Sequence, residues 1–214
     1  MSATDDLIER LVVGLTPVPQ STVRNRLGLG VGIGLAVSAT AMVVTMGLRP
    51  DLTSAITTTS FWIKFAFTGL LASAGAVAVE RLAHPDGSAG SAGIVSGAVI
   101  LAMISLAVGQ LLASAPADYR GLIMGSTSSS CPWLIMLLAV PVLTLGLWTM
   151  RAMAPTRLTR AGGAVGLLAG AASAFVYAFS CDESALPFVA FWYGLGIAAT
   201  TFVGAVLGRS ALRW

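Results

Sequence analysis

Six stretches of the chain, about residues 27–47, 61–79, 92–113, 132–150, 161–180 and 186–207, are almost continuously apolar. Each approaches the roughly 20 residues that an α-helix needs to cross the hydrocarbon core of a bilayer. Between them lie short polar or turn-forming connections: Arg49-Pro50-Asp51, His84-Pro85-Asp86-Gly87, Pro116-Ala117-Asp118, Pro155-Thr156-Arg157 and Cys181-Asp182-Glu183. Ahead of the first stretch the pattern changes. Leu7, Ile8, Leu11, Val12 and Leu15 fall on one stripe at helical spacing, Asp6 and Glu9 are spaced as a capping pair, and Pro17 and Pro19 end the pattern. The pattern predicts an all-α polytopic membrane protein. Its two parts are a segment 1–26 with a short amphipathic helix and a bundle of six transmembrane helices over 27–214.

Composition supports this division. Of 214 residues, 56% are apolar and only 10% charged, whereas a soluble domain carries about 25% charged residues. So few charges cannot cover a globule, and the bilayer has to act as solvent. The net charge of +3 is scattered over connections and forms no basic patch, so direct contact with nucleic acid is not expected. No cleavable leader is expected either, because the first apolar run starts only near Leu27 and is too long for a signal core.

Basic residues set the orientation, since they are retained on the cytoplasmic side. Alternating the connections puts Arg10, Arg24, Arg26, Arg81, Arg151, Arg157, Arg160, Arg209 and Arg213 on one side and Arg49, Lys64 and Arg120 on the other. Both termini are therefore expected in the cytoplasm.

Inside the spans, Gly30/Gly34, Gly162/Gly166/Gly170 and Gly204/Gly208 recur every four residues. Small residues at that spacing line one helix face and let backbones approach closely. The spans hold no acid or base near their centres, which disfavours an ion or proton carrier. Lys64, near an outer end, is expected to snorkel toward water, and Gln110 to bond a neighbouring helix. Glu80 and Arg81 are expected to be solvated or locally paired. Trp62, Trp133, Trp192 and Tyr193 fit an interfacial aromatic belt.

Two cysteines carry the candidate chemistry. Cys131 precedes the fourth span and Cys181 follows the fifth. Those spans are joined by a short basic loop, so the thiols are expected at similar depth on the outer face, about 30 Å from that loop. Cys131 stands at a helix N-terminus, whose dipole favours the thiolate. Cys181, beside Asp182 and Glu183, is expected to stay protonated and act as the resolving thiol. An oxidising compartment beyond an inner membrane leaves a structural disulfide, a redox switch and a soft- or transition-metal site all open. For a metal, Cys131, Cys181, Asp182 and Glu183 are the candidate donors. No obligatory cofactor is expected.

The N-terminal helix presents Asp5, Asp6 and Glu9 against Arg10. A surface-lying helix would present Lys and Arg to anionic lipid, so a groove on a basic cytoplasmic protein suits it better. The contacting residues would be Asp5, Asp6, Leu7, Ile8, Leu11, Val12 and Leu15.

Taken together, the Asp-Asp-Leu-Ile start, Gly47-Leu48-Arg49-Pro50-Asp51-Leu52, Lys64, Cys131, Pro155-Thr156, the Tyr177 to Cys181 stretch, Trp192-Tyr193 and the terminal Arg213-Trp214 resemble the NrsF-type family. Its members are six-span anti-sigma factors of the bacterial inner membrane, acting on extracytoplasmic-function (ECF) sigma factors. The resemblance implies that the N-terminal segment holds a sigma factor and that the outward cysteines register periplasmic stress and release it. The expected partners are then an ECF sigma factor, the bilayer and, as a candidate, a second copy of the chain. A regulator, not an enzyme, is expected. The alternatives are a thiol-disulfide oxidoreductase, for which no Cys-x-x-Cys pair is present, and a small-solute transporter.

Overall fold

The structure is a computed structural model that describes Thr4, residues 20–84 and residues 87–213. Among them there is no strand, and six helices are long and apolar enough to cross a membrane. They are α1 (Gln20–Thr45), α2 (Thr59–Leu82), α3 (Gly90–Ala113), α4 (Cys131–Arg151), α5 (Leu158–Tyr177) and α6 (Leu186–Ala211). The chain is a helical membrane protein, as its apolar pattern predicts. Short helices at Leu52–Ala55 and Tyr119–Met124 lie in the connections. The connections α1–α2, α3–α4 and α5–α6 gather on one face, here the far face, and the start of α1 and the end of α6 lie on the opposite, terminal face.

The helices start and stop where local chemistry dictates. Pro132 and Pro187 stand in the first turns of α4 and α6, where proline's missing N–H has no partner to lose. Gly47, at φ +73, ends α1 in the left-handed conformation, and its N–H bonds the Met42 and Val43 carbonyls. That turn delivers Arg49 to the far face. Inside α6, Val189–Tyr193 form a π-turn, an irregularity that often marks functional positions.

The bundle is built around α5, which packs against α6, α2, α4 and α1. It is the most enclosed helix, with 67% of its span buried, whereas α3, against α2 and the start of α6, buries 22%. The glycine stripes explain the closest contacts. A Cβ on Gly166 would stand 2.6 Å from the Thr200 carbonyl oxygen, and one on Gly204 would stand 2.5 Å from that of Gly162. In α1, a Cβ on Gly34 would meet Val142 Cα at 2.7 Å. One turn along, the Ser38 hydroxyl donates to the Leu138 carbonyl at 2.6 Å. The fourth and fifth spans, joined by the short basic loop, are neighbours, with α4 packed on α5.

Candidate functional site

Three connections interlock on the far face. The Arg49 N–H donates to the Phe179 carbonyl at 3.1 Å, tying the end of α1 to the segment beyond α5. Across the other side of that segment, the Ser126 N–H and hydroxyl donate to Glu183 Oε1 at 2.6 and 2.9 Å. Gly125, just before, has φ +51, and a Cβ there would collide with the Glu183 carboxylate. The Leu186 N–H donates to Gln110 Oε1 at 2.8 Å, so Gln110 bonds a neighbouring helix as expected. The Trp192 indole donates to the Ile123 carbonyl at 2.8 Å.

At the centre of this assembly lies a cation that the chain's pattern did not place there. Lys64 is completely buried, not snorkelling. Its ammonium donates to the main-chain carbonyls of Cys181 at 2.9 Å and Glu183 at 3.0 Å and stands 5.8 Å from the centre of the Tyr193 ring. Carbonyl dipoles and a ring face thus replace the water that a buried charge would otherwise need. A second cation reaches the same segment. Arg49, its side chain also buried, pairs with both carboxylate oxygens of Asp51 at 2.7 Å. Its remaining Nη lies 3.4 Å from both the Cys181 carbonyl and the Ser184 hydroxyl. Arg49 Nε is 3.9 Å from Asp182. The Arg49 hydrogen bonds hold the Asp51 carboxyl below the usual carboxylate range.

Cys131 and Cys181 are both free thiols, both buried, and share one apolar cluster with Ile135, Tyr177, Phe188 and Tyr193. The fully buried Tyr193 hydroxyl lies against the Cys181 thiol without a well-formed hydrogen bond. Tyr193 is therefore core and does not belong to the aromatic belt, whereas Trp62 and Trp133 are exposed and fit it. The helix dipole remains at Cys131, the first residue of α4. The thiol is nevertheless enclosed, and reagents reach it only if the covering segments move.

The four candidate metal donors are not gathered. Glu183 is engaged by Ser126, the Asp182 side chain is 69% exposed beside Arg49, and the sulfurs lie beneath. Among the described residues, no three His, Cys, Asp or Glu side chains converge to hold a metal ion. Asp5, Asp6, Leu7, Ile8, Leu11, Val12 and Leu15 lie outside the described residues.

The model for "Negative regulator of sigma F" matches residues 11–214. The chain belongs to this family, NrsF. It is 38% identical over 211 residues to the probable anti-sigma-F factor NrsF of Azospira oryzae, and 40% identical over 221 residues to the anti-sigma-F factor NrsF of Caulobacter vibrioides. Each match covers 99% of both chains. No solved structure matches. In this NrsF-family chain, Arg49, Lys64 and Tyr193 are the far-face residues whose setting the apolar pattern missed. The one signal available was a lysine a single turn inside an otherwise apolar span.

Proposed function

We propose that this chain is an anti-sigma factor of the bacterial inner membrane, with both termini in the cytoplasm, that retains an ECF sigma factor there. Residues 1–26 hold the sigma factor through Leu7, Ile8, Leu11, Val12 and Leu15, flanked by Asp5 and Asp6. The thiols of Cys131 and Cys181, facing the periplasm, respond to an oxidant or a soft metal and end the retention.

The observation that carries this reading is the near-complete match to two proteins named as anti-sigma-F factors. It is supported by the position of the two thiols, in one cluster beneath interlocked segments on the face opposite the start of α1 and the end of α6. A change of volume or charge at either sulfur has to disturb those segments, since packed interiors do not absorb added atoms. A thiol exchange enzyme has less support, because its sulfurs would need to meet a substrate.

The test is co-purification of a sigma factor with the full-length chain from membranes, before and after exposure to a thiol oxidant or a soft metal. Leu7→Asp with Leu11→Asp should abolish capture, and Cys131→Ser with Cys181→Ser should abolish release. Capture unaffected by the first pair would sink the assignment of residues 1–26. Release unaffected by the second would sink thiol sensing.

A further inference from the structure

We infer that α1 is the element that carries the state of the thiol segments to the opposite face of the membrane, with Arg49 as its anchor. This inference rests on the anti-sigma reading for its purpose, though not for its geometry. α1 spans 26 residues, Gln20 to Thr45, or about 39 Å of helix. It joins the N-terminal segment at one end and, through the Gly47 turn, reaches Arg49 at the other.

Both thiol-bearing elements hold this helix. At the far face, Arg49 grips the segment that contains Cys181 by its main chain and its side chain. Its N–H bonds the Phe179 carbonyl at 3.1 Å, its Nη lies 3.4 Å from the Cys181 carbonyl, and its Nε lies 3.9 Å from Asp182. Along its length, α1 packs chiefly on α4, the helix that begins with Cys131. There the contact runs through Gly30, Gly34 and Ser38. Away from these holds α1 is lightly fixed, with only 28% of its span buried, and it makes little contact with α2.

Displacing the residues from Phe179 to Asp182 therefore frees the far end of α1, and moving the start of α4 shifts the surface on which α1 rests. A stiff helix passes either displacement to residue 20. α2 is a poorer carrier. Lys64 ties it to the Cys181 carbonyl as well, but α2 is packed broadly on the central α5. Arg49 is accordingly a positioning residue: it sets where α1 stands.

The experiment separates geometry from purpose. In the full-length chain carrying Cys131→Ser and Cys181→Ser, spin labels at Arg24→Cys and Arg157→Cys report the position of α1 against the α4–α5 loop. Adding Arg49→Gln should shift or broaden that distance by about 5 Å, one helical pitch. In the same thiol-free chain without labels, Arg49→Gln should lower sigma-factor retention about tenfold, a typical coupling between sites. Arg49→Lys, which keeps the cation but loses the fork to Asp51, should give a smaller change in the same direction. It also serves if Arg49→Gln accumulates poorly. Superimposable distance distributions for Arg49, Lys and Gln would overturn the inference, and so would a shifted helix with undiminished retention. If the chain with Arg49 intact retains no sigma factor at all, the anti-sigma reading fails, and the distance measurement still decides whether Arg49 anchors α1.

Discussion

The Lys64 ammonium lies 2.9 Å from the main-chain carbonyl oxygen of Cys181, so a cation on α2 holds the backbone of a thiol residue from a different part of the chain. A second bond, to the Glu183 carbonyl, makes the hold two-pronged. Lys64→Ala would remove the donor of the Glu183 carbonyl, leave the Cys181 carbonyl only the longer Arg49 contact, and open a cavity. The expected loss is about 2–4 kcal/mol, read as a fall of several degrees in the thermal unfolding midpoint in detergent. A midpoint equal to that of the parent would show that water or rearrangement satisfies these carbonyls.

Burial governs the thiols. Cys131 and Cys181 should react slowly with a small maleimide in the folded chain and quickly once it is unfolded. Glu183→Gln weakens the charged hydrogen bonds from Ser126 and should speed the folded-state reaction. Mass spectrometry of the labelled chain distinguishes the two sulfurs. Rapid labelling of both in the unsubstituted chain would contradict the enclosure.

Two kinds of glycine should behave differently. At Gly166 an added side chain meets the Thr200 carbonyl, whereas at Gly93 it meets nothing within 4 Å. Gly166→Val is expected to prevent accumulation of a folded bundle, since overpacking costs about 1–3 kcal/mol even where neighbours can yield. Gly93→Ala should be neutral. Membrane abundance and the elution profile in detergent compare the two directly.

The Arg49–Asp51 pair gives the far face a pH dependence of definite sign. With its folded-state value depressed, Asp51 contributes stability that is fully present above the ordinary carboxylate value, about 3.9. That contribution is lost as pH falls through the lower, folded value. Unfolding midpoints should therefore decline below about pH 4, and Asp51→Asn should flatten part of that acid limb. An unchanged limb in Asp51→Asn would assign the decline to other carboxylates.

Orientation is open to direct measurement. With Cys131 and Cys181 replaced by serine, a cysteine at Arg120 should be labelled by an impermeant maleimide added outside intact cells, and one at Arg157 only after permeabilisation. The nine-to-three distribution of basic residues predicts that order. The reverse would invert the proposed signalling direction.

Much of the architecture was readable from apolar run lengths. The six spans, the α4–α5 adjacency and the packing role of Gly162, Gly166, Gly204 and Gly208 all follow from patterns of side-chain size and polarity. The far-face assembly was less readable for a physical reason. Lys64 is satisfied by main-chain carbonyls, and carbonyls are the same at every position in a sequence. A lysine one turn inside a span therefore looks like a snorkelling residue until the fold supplies its acceptors. Arg49 registered as a connection residue and one charge in a topology count, with no role in a site, because its partners Phe179, Cys181 and Asp182 are about 130 positions away. Tyr193 looked interfacial by position, and the π-turn that ends at it has no residue signature.

The seam between α5 and α6 has a mechanical meaning. Where Gly162, Gly166, Gly204 and Gly208 meet, main chain touches main chain, and no side chain there can change rotamer to accommodate sliding. In the proposed relay that pair is the stator, the reference against which a displaced α1 would move. A probe placed on α5 or α6 would supply a stationary origin, against which the travel of every other helix can be measured.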